Sequence, residues 1–175
     1  MIRGQLIHLR PIEREDLPTF VRWFGDEEIM SYIIPHWPFS MAEEEAWFER
    51  VTKSETDKVF AVCTTGGKLI GTLGLHGINT RNGSAELGIV ICDKECWGKG
   101  YGTDAVRTML RFAFEEMRFH RIQLHVHEDN ARAIKAYEKC GFVREGVVRE
   151  QTFRGGRWTN GYLMSTLAHE WLARK

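Results

Sequence analysis

The sequence predicts one mixed α/β (α+β) domain built around a mostly antiparallel sheet. Two turn signals, Thr65-Gly66-Gly67-Lys68 and Asn82-Gly83, separate three apolar segments with strand-like alternation, which reads as two consecutive hairpins. A long amphipathic segment, Tyr101 to Met117, then crosses to another strand-like run, Arg121 to His127. No repeat, low-complexity stretch or linker divides the 175 residues, so residues 1–175 are expected to form a single domain.

The remaining elements follow in chain order. Leu6 to Arg10 reads as a short first strand closed by Pro11, and Arg14 to Phe24 as a helix with Leu17, Phe20, Val21 and Phe24 on one face. Ile33 to Phe39, with Pro35 and Pro38, is expected as an ordered loop. Ser40-Met41-Ala42-Glu43 is a capping-box pattern that opens a helix to about Thr52. Val59–Thr64, Leu69–Leu75 and Ala85–Ile91 are the hairpin strands. The long helix should bury Ala105, Met109, Leu110, Ala113 and Met117. Ala131 to Cys140 is a helix ended by Gly141, Val143–Phe153 and Trp158–Thr166 flank the turn at Arg154-Gly155-Gly156-Arg157, and a last helix covers Leu167 to Lys175.

Charge excludes some functions. The 24 basic and 24 acidic residues cancel, which leaves no general field for a nucleic-acid backbone and gives no reason to expect membrane association. The N-terminal residues carry no signal-peptide pattern, and no apolar run approaches the ~20 residues of a spanning helix, so a cytoplasmic location is expected. Cys63, Cys92, Cys96 and Cys140 are then read as reduced thiols. His120, His125, His127 and the Cys92/Cys96 pair match no standard metal-ligand spacing, and no metal is expected.

The chemistry concentrates in Trp97-Gly98-Lys99-Gly100-Tyr101-Gly102, where a strand gives way to the long helix. Unpaired backbone N–H groups at a helix start, approached closely because glycine lacks Cβ, make an anion site. A dinucleotide fingerprint would need glycine where Thr103 stands, and a Walker A loop would need Ser or Thr after Lys99, where Gly100 stands. Composition alone leaves a plain helix-start turn open.

Downstream, Asn130, Ala133, Tyr137, Gly141 and Phe142 spell Asn-x-x-Ala-x-x-x-Tyr-x-x-x-Gly-Phe without gaps. With the glycine turn, this pattern resembles the GNAT superfamily of acyl-CoA-dependent N-acyltransferases, over a stretch from about Leu6 to the C-terminus. Leu9-Arg10-Pro11 with Glu15-Asp16-Leu17, and Phe153-Arg154-Gly155-Gly156-Arg157-Trp158, are similar to the branch of the ribosomal-protein alanine (RimJ/RimL-like) and spermidine N-acetyltransferases. The chain departs from the family pattern at Trp97, where Gln or Arg is usual.

The resemblance implies a sheet of about seven strands in which Ala85–Ile91 and Arg121–His127 splay apart to admit pantetheine. It assigns the coenzyme to Trp97, Gly98, Lys99, Gly100, Tyr101, Gly102 and Thr103, and to Asn130, Ala133 and Tyr137. A backbone N–H within Ile89, Val90 and Ile91 would polarise the acetyl carbonyl. Tyr137 is the expected general acid, and Glu86 the expected base, acting directly or through water. Trp37, in an aromatic group with Trp23, Tyr32, Phe39 and Trp47, is an expected lining residue of the acceptor site.

Acetyl-CoA is therefore the expected co-substrate, and the first expectation for the acceptor is a protein or peptide N-terminus or another small amine. Polyamine acetylation is the alternative. Asn160, in place of an acidic residue common in the peptide-acting branch, favours it; Gly77, where polyamine enzymes carry an acidic residue, opposes it. A non-catalytic acyl-CoA-binding module is a third reading, against which Tyr137 stands. The branch is compatible with a homodimer.

Overall fold

The computed structural model describes residues 1–31 and 38–174. The strands are β1 (Ile2–Arg3), β2 (Ile7–Pro11), β3 (Lys58–Thr64), β4 (Leu69–Asn79), β5 (Ser84–Ile91), β6 (Arg121–His127), β7 (Val143–Arg154) and β8 (Arg157–Leu167). They join in one sheet of order β1-β2-β3-β4-β5-β6-β8-β7. Every pairing is antiparallel except β5 with β6. The helices are α1 (Leu17–Phe24), α2 (Glu27–Met30), α3 (Met41–Lys53), α4 (Tyr101–Arg111), α5 (Ala131–Lys139) and α6 (Ala168–Leu172). Among the described residues no helix is long and apolar enough to cross a membrane.

Strand alternation divides the sheet into two faces. Val62 and Ile70, with Leu73, Leu75, Ala85, Leu87, Ile122 and Leu124, pack against α4 and α5 in the main core. On the other face, Ala61 and Cys63 meet Leu17, Phe20, Trp23, Trp47 and Phe48 of α1 and α3. The register Val59↔Gly74↔Gly88 and His76↔Glu86↔Gln123 puts His76, Glu86, Gly88 and Gln123 on this second face.

β5 and β6 pair only over Ser84–Arg121, Ala85–Ile122 and Glu86–Gln123. Past that point β5 stays with β4 to Ile91, and β6 stays with β8 to His127, so the sheet opens into a wedge. The splay expected between these two strands is present.

Local chemistry explains the elements around it. Ser40 and Glu43 form the expected capping box at α3. α2, which the sequence reading missed, is one turn capped by Asp26, whose carboxylate accepts the Glu28 and Ile29 N–H groups. The long helix is α-helical only to Arg111. A π turn, Phe112–Glu116, follows, with Met117 N–H bonded to Phe112 O. The wider turn rotates the chain, so Met117, expected in the core, is 51% exposed, while Phe114 is buried instead; Val106, in the regular helix before it, is buried as well.

Glu44 of α3 is only 4% exposed, and its Oε2 has no hydrogen-bond partner among the described residues. Burial, with Glu43 beside it, raises its pKa from 4.5 to about 7. The unfolded chain loses this proton near 4.5 and the folded chain near 7, so between those values the folded state holds more protons. Stability from this group is therefore present at low pH and lost as pH rises towards 7. Glu44→Gln is expected to leave unfolding free energy nearly unchanged at pH 5 and to raise it by about 1–3 kcal/mol at pH 8. Urea unfolding at the two pH values checks this; an equal gain at both would mean the effect is not one of charge.

Candidate active site

The wedge opens into a cleft of about 500 Å³ between the ends of β5 and β6, the glycine turn and α5. Ile89, Val90 and Ile91 line one wall; Trp97, Gly98, Gly100, Gly102 and Thr103 line another; Asn130, Ala133 and Tyr137 close the α5 side. The two sequence patterns, distant in the chain, thus meet in one cavity. Lys99 and Tyr101, expected beside them, do not line it, and Tyr101 packs on the main core. Trp37 lies outside the described residues.

The turn works through its backbone. Gly98 has φ 73° and Gly100 has φ 89°, a left-handed region that L side chains adopt at a cost. A Cβ would meet nothing within 4 Å at Gly98 and only Leu6 Cδ1, at 3.6 Å, at Gly100, so conformation rather than crowding selects glycine. Gly100 is the N-cap of α4, and its carbonyl accepts the Asp104 N–H at 2.9 Å. The N–H groups before Asp104 have no earlier helical carbonyl to pair with and stand at the positive end of the helix dipole. Asp104, which would repel an anion there, is turned away: its carboxylate accepts the Gln5, Leu6 and Ile7 N–H groups.

Trp97, the departure from the family pattern, forms a fixed wall. Its Nε1 donates to Ile91 O at 2.6 Å, and the Arg132 guanidinium stacks on its ring at 4.2 Å. Arg132 and Lys135 of α5 line the cleft too, so cations reach it from α5. Neither is among the site residues expected from sequence, although both sit inside the second signature. Asn130 caps α5, its Oδ1 accepting the Ala133 N–H at 3.1 Å.

Tyr137 is 9% exposed, its ring packs on Phe142 at 5.8 Å, and its hydroxyl has no hydrogen-bond partner among the described residues. Burial, and then the neighbouring Cys140 thiol, push its pKa from 10.0 up to about 12, so the phenol holds its proton across the working pH range. The surroundings treat sulfur in the same way: burial raises the Cys140 thiol to about 11. Cys92 is pushed to about 12 by burial alone, so these thiols are protonated and unreactive.

Glu86 lies on the other face of the sheet, in a separate pocket of about 220 Å³ that His76, Gly77, Arg121 and Gln123 also line. Its Oε1 stands 3.2 Å from Nδ1 of His125, and His125 lines the large cleft. Asp57 accepts the Gly77 N–H and stands 3.5 Å from His76 Nδ1. Asn160 is taken up in structure, bonding Glu128 through N–H and Nδ2 and accepting the Glu150 N–H. Among the described residues no cluster of side chains could hold a metal ion.

Comparison with known proteins gives a consistent result. The family model for the acetyltransferase (GNAT) domain matches residues 7–143. The chain is 33% identical to a spermidine N(1)-acetyltransferase of Vibrio cholerae, covering 95% of both chains. It is 29% identical to the Escherichia coli enzyme of that name, covering 95% of this chain and 89% of the other. A crystal structure of the Vibrio cholerae spermidine N-acetyltransferase, in complex with CoA and spermine, superposes with TM-score 0.88 at 33% identity, covering 95% of this chain and 98% of that one.

Proposed function

The chain belongs to the GNAT acetyltransferase family and is an acetyl-CoA-dependent N-acetyltransferase, and we propose that its acceptor is a polyamine of the spermidine type. The peptide N-terminus expected first from sequence has less behind it than this alternative. The observation that carries the polyamine reading is the acidic character of the sheet face opposite the coenzyme side. Gly77 lacks the acidic side chain of the polyamine enzymes, but its N–H holds the Asp57 carboxylate beside it, which returns a negative charge to that place. Glu86 adds a second carboxylate. A protonated polyamine carries cations along its length and fits such a face better than a single α-amine does.

In this reading the N–H groups of Tyr101, Gly102 and Thr103 and the cations of Arg132 and Lys135 hold the pyrophosphate. Asn130 and Ala133 flank the pantetheine arm, and Trp97 walls it. An N–H of Ile89–Ile91 that points into the wedge donates to the acetyl oxygen as the amine attacks the carbonyl carbon. Acetyl-CoA supplies the activated acyl group. Tyr137 donates its phenolic proton to the departing sulfur.

A thiol-release assay with spermidine, spermine and peptides of varied N-terminus decides the acceptor. Spermidine or spermine is expected to give at least about tenfold higher kcat/KM than any peptide, a discrimination of about 1.4 kcal/mol. Preference for a peptide would return the acceptor to a protein N-terminus.

A further inference from the structure

Past the last β5–β6 backbone pair, Glu86–Gln123, the two strands are bridged on their second face by Glu86 Oε1 and His125 Nδ1 at 3.2 Å. We propose that His125 takes the proton from the attacking amine, and that Glu86 is a positioning residue that holds the imidazole. Glu86 lines the smaller pocket and not the cleft. His125 lines the cleft together with Tyr137. Pantetheine enters from the α4–α5 side, so the amine comes from the other side, the face that carries His125. A carboxylate bonded to Nδ1–H fixes the tautomer in which Nε2 is the free acceptor, and an imidazole is better matched than a carboxylate to proton transfer near neutral pH.

The step balances. The ammonium of the acceptor first loses a proton to water; the neutral amine nitrogen then bonds the carbonyl carbon, and the C–S bond breaks. One N–H proton passes to His125 Nε2, and the Tyr137 proton passes to sulfur. The imidazolium then loses its proton to water, and the tyrosinate regains one. Other titratable groups surround the ring. Arg121 on β6 is paired with Glu145, and His127 Nδ1 stands 3.4 Å from Thr152 Oγ1. On β4, His76 is paired with Asp57, its ring lying over Gly74 and Gly88; a Cβ on Gly74 would stand 2.8 Å from its Nε2. Tyr137, Arg132 and Lys135 face the cleft from α5. Leu163, opposite His125 on β8, carries no charge.

The inference rests on amine acetylation and not on which amine is used, and two measurements test it. Nitrogen-15 NMR of the histidine rings, with no acceptor present, is expected to show neutral His125 as the Nδ1–H tautomer. That preference should survive in Glu86→Gln, which still accepts a hydrogen bond, and be lost in Glu86→Ala. An Nε2–H tautomer in the unaltered protein would overturn the proposal. In kinetics, His125→Gln should lower kcat about a hundred- to a thousandfold and abolish the acidic limb of the kcat/KM profile, with coenzyme A binding retained. Glu86→Gln, which still accepts the ring N–H, should keep the limb. His76→Gln should keep the limb where it is. A limb lost with Glu86→Gln or His76→Gln but kept in His125→Gln would assign the proton to that other group and end the proposal. If no polyamine is turned over, the acceptor reading fails, and any other amine that is turned over serves the same kinetics. If none is turned over, the ring tautomer decides His125.

Discussion

Tyr137→Phe is expected to lower kcat about a hundred- to ten-thousandfold while leaving the Kd for coenzyme A nearly unchanged. The two halves of that expectation have separate causes. The phenyl ring keeps the packing on Phe142 and the burial that Tyr137 contributes, so the cleft keeps its shape. The lost hydroxyl has no structural partner among the described residues, so no bond inside the protein is broken with it. What disappears is a proton donor that burial keeps protonated, with a pKa of about 12. Steady-state kinetics with calorimetry of coenzyme A binding separates the terms. Unchanged turnover would remove Tyr137 from the chemistry, and a parallel loss of binding would make it a packing residue.

Gly100→Val is expected to raise the Kd for coenzyme A about tenfold or more. Forcing a β-branched residue to φ 89° costs roughly 1–3 kcal/mol, and the chain can relieve that strain only by turning the first N–H groups of α4. Each 1.4 kcal/mol lost from binding is about tenfold in Kd. The added methyl groups need not touch the ligand for this to happen, since the nearest neighbour of a Cβ there is Leu6. Calorimetry with coenzyme A, beside a thermal melt to show that the fold remains, provides the check. Unchanged affinity would discredit the turn as the pyrophosphate site.

Much of this site could be read in the sequence, for reasons that differ by residue. Glycine at 98 and 100 and the Asn130–Tyr137 spacing record backbone geometry, which is local and leaves a mark in the residues themselves. The hairpin at Thr65–Lys68 and the strands on either side of it were legible in the same way. The bridge from Glu86 to His125 spans 39 positions, and no local pattern announces which histidine a splayed strand will set opposite a glutamate. The stack of Arg132 on Trp97 escaped notice for the same reason. In the fold, β1 has two residues and α2 four, too few for periodicity to register. β4 runs to Asn79 and not to Leu75, because a register shift after His76 carries the pairing through Gly77, a residue that reads as a strand breaker. The π turn was invisible because it alters the period that a helical reading assumes.

The wedge has a consequence for how the protein holds together. From Gly88 to Ile91, β5 has a ladder on one side only, against β4, and the rungs that would face β6 are missing. A linear arm with amide groups of its own can supply them. On this view the coenzyme is a temporary strand, and its departure leaves a seam through the middle of the sheet. Anything that binds the folded chain and not the unfolded one adds to folding stability, by ~2.7 kcal/mol at a hundred times its Kd. On the proposed placement the donor completes the architecture against which the amine is presented, and an acceptor arriving first would meet a sheet still open along its centre.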